Sequence, residues 1–152
     1  MPLRKALFIV RAMPERLRRI PMSPKQVPKV EGFYQPLGPY SHVVSAGGFL
    51  FVSAQTPLRP DGSSKEFVGA DIKEQTRQTL SNIKTMLEKC GSSMVDVVKV
   101  TVYLANPKDS AGMNEVYKEF FPREPPARSP AKLGIEMPNL LVAFDVVAVQ
   151  RN

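Results

Sequence analysis

The stretch DIKEQTRQTLSNIKTMLEKCGSSMVDVVKVTVYLA, Asp71–Ala105, changes its apolar period halfway along, and that change decides the fold. In the first half Ile72, Thr76, Leu80, Ile83, Leu87 and Cys90 recur at helical spacing, the mark of a helix with one buried face. Asp71 is placed to cap its start, Glu74 follows three residues on, and Gly91 is placed to end it. In the second half the period falls to two. Val98, Val100, Val102 and Leu104 take one face of a strand over Val97–Ala105, and Lys99, Thr101 and Tyr103 the other.

Upstream, two short apolar runs, His42–Ala46 and Phe49–Ala54, flank Gly47-Gly48 and predict a β-hairpin with a two-residue turn. The polar stretch Thr56–Lys65 is a loop. Downstream, Asp109 is expected to cap a shorter helix whose Met113, Val116, Tyr117 and Phe120 form an apolar stripe. The segment PREPPARSP (residues 122–130) reads as a stiff loop, since its prolines suit neither a helix nor a central strand. Ala131–Ile135 and Leu140–Gln150 close the chain as strands around a turn at Met137–Asn139. The order ββ-α-β-α-ββ predicts a single α+β domain with its helices on one face of a mixed sheet.

The 152 residues suffice for one hydrophobic core, and 43% apolar with 23% charged content is that of a soluble globular protein. No apolar run approaches the roughly eighteen residues of a membrane span. One cysteine excludes an internal disulfide framework, and a single histidine beside it leaves zinc without its usual ligand set. The net charge of +7 is unevenly spread. Eight of the 21 Lys/Arg and two of the 14 Asp/Glu fall in residues 1–32, so residues 33–152 carry only a net +1. That balance speaks against a nucleic-acid surface on the body. Residues 1–32 hold five prolines, and between Pro2 and Pro14 the run LRKALFIVRAM would put Leu3, Leu7 and Val10 on one helical face, away from Arg4 and Arg11. An Arg-rich, acid-poor amphipathic segment is the signature of a mitochondrial transit peptide, although serine is scarce in it. A basic tail without an address is the competing reading, with a cytoplasmic protein as its consequence.

Two residues of the body stand out for chemistry. Arg128 lies between Pro125-Pro126 and Pro130, where a stiffened backbone reduces the entropy lost in fixing a guanidinium for bidentate capture of a carboxylate. A surface arginine beside a turn competes with that reading. Asp145 is the one charged residue in Leu140–Val149, on the strand face of Ala143, Val147 and Val149. It needs a hydrogen-bonding or cationic partner, and a structural pair or an escape to solvent would serve equally. His42 reads as a strand side chain rather than a base, Cys90 as core, and Gly47-Gly48 as a turn rather than a phosphate cradle.

Taken together, GPYS (Gly38–Ser41), FLFVSAQTPL (Phe49–Leu58), Asp71–Glu88, DVVKVTVYL (Asp96–Leu104), MNEVY (Met113–Tyr117), PPARS (Pro125–Ser129) and AFDVVAVQR (Ala143–Arg151) resemble the RidA (YjgF) family. The resemblance runs from about Gly38 to the C-terminus. It implies a chorismate-mutase-like α+β fold, a homotrimeric barrel with pockets at subunit interfaces, and hydrolysis of short-lived 2-imino or enamine acids such as 2-aminoacrylate to 2-keto acids and ammonia. It implies no cofactor, and the composition itself points to no metal and no membrane partner. By motif match Arg128 would bind the substrate carboxylate, Tyr40 would be the pocket tyrosine, Asn114 a pocket-lining polar residue, and Ser53 and Ser129 further substrate contacts.

Pro130 and Ala54 depart from the family pattern, and a third departure is the serious one. The last strand commonly carries two acids two residues apart, the first orienting the hydrolytic water, and here those positions are Ala143 and Asp145. Asp145 shares the face but is displaced by about 6–7 Å. The carboxylate-binding half of the site is therefore kept, while the hydrolytic half rests on Asp145. Three functions follow: an imine deaminase with Arg128, Asp145 and Tyr40 as its working residues, a weakly catalytic or non-catalytic carboxylate-binding module, and an endoribonuclease-type translation inhibitor. The near-neutral body weighs against the third.

Overall fold

The computed structural model describes residues 24–151. The expected amphipathic run of residues 3–13 lies outside the described residues. The chain forms β1 (Val43–Ala46), β2 (Phe49–Gln55), α1 (Ile72–Lys89), β3 (Val97–Leu104), α2 (Ser110–Phe120), β4 (Ala127–Lys132) and β5 (Val142–Val149), with short 3-10 turns before β3 and α2. This is the expected ββ-α-β-α-ββ order. The β1–β2 hairpin turns at Gly47 and Gly48, with φ of 59° and 81°, so two successive left-handed residues make a turn whose twist suits the strands.

α1 begins as its sequence dictates: Asp71 accepts from the Glu74 amide at 2.9 Å, and Glu74 returns a bond by accepting from the Ala70 amide at 2.8 Å. It ends on Gly91, φ 77°. Leu80, Ile83 and Leu87 of α1 and Met113, Val116 and Tyr117 of α2 are buried, as are Leu50, Val52, Val100, Val102, Phe144 and Val146 of the sheet. The two helices meet closely at Gly112, where a β-carbon would stand 2.8 Å from Ile72 Cγ2. The opposite face of the sheet carries Phe49, Phe51 and Val149, each about two-fifths exposed, with Val149 opposite Phe49 and Val147 opposite Phe51.

The strand order is β1-β2-β5-β3-β4, and it corrects the expected layout of the C-terminal third. Residues 127–130 are not loop. Ala127–Lys132 is an edge strand, parallel to β3, with Arg128 opposite Val100 and Pro130 opposite Val102. Proline is tolerated there because one side of an edge strand has no neighbour to receive its missing N–H. The parallel pairing follows from α2, which carries the chain back across the sheet between β3 and β4. The strand expected at Ala131–Ile135 thus ends at Lys132, and it does not pair with the last strand. β5 lies between β2 and β3, antiparallel to both.

Two smaller expectations are also corrected. A register shift between Val97 and Lys99 turns Val98 outward, 43% exposed, and buries Val97 in its place. Asp109 occupies the cap position of α2 without bonding through its side chain; Asn106 instead caps the preceding turn, accepting from the Lys108 amide at 3.0 Å.

α1 also buries four polar residues, Gln75, Thr76, Thr79 and Asn82, and two of them tie down loops. Gln75 donates to the Asn139 carbonyl (2.7 Å) and the Gly69 carbonyl (3.2 Å) and accepts from the Leu141 amide (2.9 Å). Asn82 donates to the carbonyls of Thr56 (3.2 Å) and Leu58 (2.9 Å). These side chains replace backbone partners that the two irregular loops cannot supply themselves. Gln75→Leu keeps most of the volume and strands those groups, so it is expected to cost roughly 2–4 kcal/mol, since each unsatisfied buried group costs about 1–3 kcal/mol. A shift in the urea midpoint measures it, and an unchanged midpoint would contradict the assignment.

Candidate functional site

The residues singled out from sequence separate into two places. The first is the β4 edge. Arg128, on the helix side of the sheet, donates from Nη1 to Asn114 Oδ1 at 2.7 Å and lies with Cζ 4.7 Å from the centroid of the Tyr117 ring. Asn114 and Tyr117 are three apart on α2 and therefore share a face, so one turn of helix both hydrogen-bonds the guanidinium and stacks beneath it. Tyr117 is buried, and burial pushes its hydroxyl up to about 12 against the opposing pull of Arg128. Among the described residues no carboxylate pairs with Arg128. A rigid, exposed cation without a counter-ion is arranged to receive an anion. Ser129, the next residue, faces the other side of the sheet, where its Oγ accepts from Lys99 Nζ at 2.6 Å.

The second place is a cavity of about 500 Å³ at the end of the open sheet face. Tyr40, Ser53 and Ala143 all line it; Arg128, Asn114 and Ser129 do not. Ser53 Oγ donates to the Ser41 carbonyl at 2.7 Å, which ties the strand to the GPYS turn and leaves the oxygen's lone pairs free to accept. His42 is buried behind this wall. Its Nε2 meets the Tyr34 carbonyl at 2.7 Å, its Nδ1 has no partner, and the rings of Tyr34 and Tyr40 stand edge-on to it at 5.0 and 6.2 Å. His42 packs the two tyrosines, in agreement with its reading as a structural side chain.

Asp145 is half-buried and does not line the cavity. Its partner among the described residues is a hydroxyl: Tyr103 Oη donates to Oδ2 at 2.6 Å. Tyr103 lies opposite Ala143 and does line the cavity, so it connects the carboxylate to that space. The hydrogen bond to Asp145, with burial behind it, raises the Tyr103 hydroxyl above its ordinary value. Tyr103, Gln75 and Asn82 went unnoticed as site residues in the sequence. Gln75 and Asn82 stand one position before Thr76 and Ile83 of the helical stripe and Tyr103 lies on the polar face of its strand, so periodicity marks none of them.

The chain matches the family model described as endoribonuclease L-PSP over residues 33–150. It is 44% identical over 124 residues to a RutC family protein of Pyrococcus horikoshii, covering 82% of this chain and 97% of that one. It is 34% identical over 128 residues to the 2-iminobutanoate/2-iminopropanoate deaminase of Dermatophagoides farinae, 84% and 98% of the two chains. The mitochondrial protein mmf2 of Schizosaccharomyces pombe is 43% identical over 97 residues, 64% of this chain and 74% of that one. Among solved structures, a member of the conserved Rid protein family from Yersinia pestis superposes with a TM-score of 0.74 at 32% identity, covering 82% and 98% of the two chains.

Proposed function

This chain belongs to the endoribonuclease L-PSP family, the RidA/YjgF proteins, and on that premise we propose that it hydrolyses 2-imino acids to 2-keto acids and ammonia. The observation that carries the reading is Arg128, held by Asn114 and Tyr117 and, among the described residues, left without a counter-ion. Its free N–H groups bind the substrate carboxylate. Tyr40 and Ser53 line the space for the imine end, with Ser129 and Asn114 supporting the arginine edge. Water adds to the imine carbon and gives up a proton as the C–O bond forms; the C–N bond then breaks and nitrogen leaves as ammonia. Asp145 is the carboxylate on this face of β5, and it reaches the cavity through Tyr103. That indirect path makes the reaction slow compared with a carboxylate standing in the cavity itself. Steady-state assay of 2-aminoacrylate or 2-aminocrotonate hydrolysis tests the reading. A rate no faster than buffer would leave a carboxylate-binding module.

The arginine edge and the cavity lie apart within one chain, so the reading requires a second copy to bring them together. The apolar face of Phe49, Phe51, Val147 and Val149 supports self-association, because a sheet face of that character is normally covered. A homotrimer with three shared pockets is expected. Light scattering on the full chain should return three times the 16.9 kDa of one copy; a monomer at micromolar concentration would refute the shared site.

The basic N-terminal segment and the mitochondrial relative together support a mitochondrial address. Residues 1–32 fused to a fluorescent reporter are expected to direct import, and a diffuse cytosolic signal would count against it. Among the described residues no helix is long and apolar enough to cross a membrane.

A further inference from the structure

The cavity beside Ala143 is larger and less polar than a three- or four-carbon imino acid requires. Its 500 Å³ lies within the range, roughly 300–1,000 Å³, of sites that enclose ligands of drug size. Among the described residues no Asp, Glu, Lys, Arg or His lines it. Tyr40, Ser53 and Tyr103 stand with Ala143, and the rest of the wall is largely apolar, with Leu37, Phe67, Leu133, Ile135, Met137 and Leu140. Three of these, Leu37, Ile135 and Met137, are 68%, 65% and 40% exposed within one copy, so the outer part of the wall is apolar surface open to a ligand.

The wall is also preformed. Gln75 fastens the Asn139–Leu141 segment to α1, and Asn82 fastens Thr56 and Leu58, so the loops on two sides of the cavity are anchored to one helix. Anchored loops lose little further entropy when a ligand enters. The residue at 143 adds to the effect: a methyl there leaves both volume and apolar surface that a carboxylate would remove.

We propose that this wall is a side-chain specificity pocket, and that the preferred substrates are 2-imino acids with bulky uncharged side chains, branched-aliphatic or aromatic. This rests on the deaminase reading for the carboxylate end and adds to it the identity of the side chain. The chemistry is unchanged. Water oxygen bonds to the imine carbon, both water protons pass to the nitrogen, and as the C–N bond breaks the oxygen becomes the keto carbonyl and the nitrogen leaves as ammonia, with no further reactant needed. A charged or strongly polar side chain would lose hydration in the cavity without finding a partner.

The test uses the full chain and two readouts. Imines generated in situ from leucine, phenylalanine and alanine by an amino-acid oxidase give kcat/KM. Calorimetry with 4-methyl-2-oxopentanoate, phenylpyruvate and pyruvate gives binding without chemistry. A hydrophobic pocket discriminates by about tenfold or more per methylene, so the leucine and phenylalanine imines, and their keto acids, are expected to exceed the alanine pair by at least about tenfold. Ile135→Glu, at an exposed position, should erode that ratio by weakening the bulky acids more than pyruvate. Alanine-derived imine hydrolysed fastest would overturn the pocket and leave the deaminase reading standing. Keto acids binding in the bulky-first order with no imine hydrolysed would do the reverse. Failure of every keto acid to bind would overturn the pocket, and the imine rates alone would then decide the deaminase reading.

Discussion

Replacing Arg128 with alanine will lower kcat/KM for 2-imino acids by about 10²-fold or more, and will weaken 2-ketobutyrate binding in step. Truncating one partner of a hydrogen-bonded charge pair costs on the order of 2–5 kcal/mol, roughly 30-fold to several thousand-fold, a range whose middle lies above 10²-fold. Arg128→Lys separates charge from geometry. The ammonium keeps the positive charge but loses the planar fork and the stack on Tyr117. It should fall between wild type and alanine. Asn114→Ala leaves the guanidinium stacked but unanchored at Nη1, and its effect should be the smallest of the three. Calorimetry with 2-ketobutyrate measures the series. Wild-type affinity in Arg128→Ala would remove Arg128 from the site.

The second large effect concerns a gain. Ala143→Glu puts a carboxylate on the cavity wall, where the wild-type protein has only a methyl and the nearest acid is linked through Tyr103. A positioned proton-transfer group contributes typically 10²–10⁴-fold. A side chain whose surroundings are not arranged for it should deliver the low end, so kcat is expected to rise by about 10–10²-fold. KM should move little, because Arg128 makes the ground-state carboxylate contact. Ala143→Gln fills the same space without a base and should give no gain. In the wild-type background Asp145→Asn and Tyr103→Phe should both lower the rate, and in Ala143→Glu both should matter less. Burial among apolar groups raises a carboxyl's pKa, so the gained activity should rise with pH through that titration. If Ala143→Glu matches wild type across pH 6–9 while Asp145→Asn is inactive, the tyrosine-linked aspartate already does the full work.

The helical half of the fold was legible because local signals agree there: period, cap and terminating glycine in Asp71–Gly91 all point one way. The C-terminal third was misread where a local rule depends on tertiary position. Proline excludes a central strand but not an edge strand, and nothing local reveals that residues 127–132 sit on the edge. Val98 was assigned inward because strict alternation carries no sign of the bulge that turns it out. For the proposed site, Arg128, Asn114 and Tyr40 stand out in the sequence as motif residues. That Asn114 grips Arg128 from another element, and that Tyr103 engages Asp145, are relations between distant segments which periodicity does not encode.

The position of β5 has a consequence for how the protein is made. The last strand in the chain is the middle strand of the sheet, between β2 and β3. Until the final residues leave the ribosome, the nascent chain can build only two half-sheets, β1–β2 and β3–β4, each with an unpaired apolar edge facing the gap. Pairings so distant in sequence form slowly, and exposed edges in the interval invite association with other chains. Chaperone dependence during synthesis, and aggregation of any product that stalls or stops before Val142, are therefore written into the strand order.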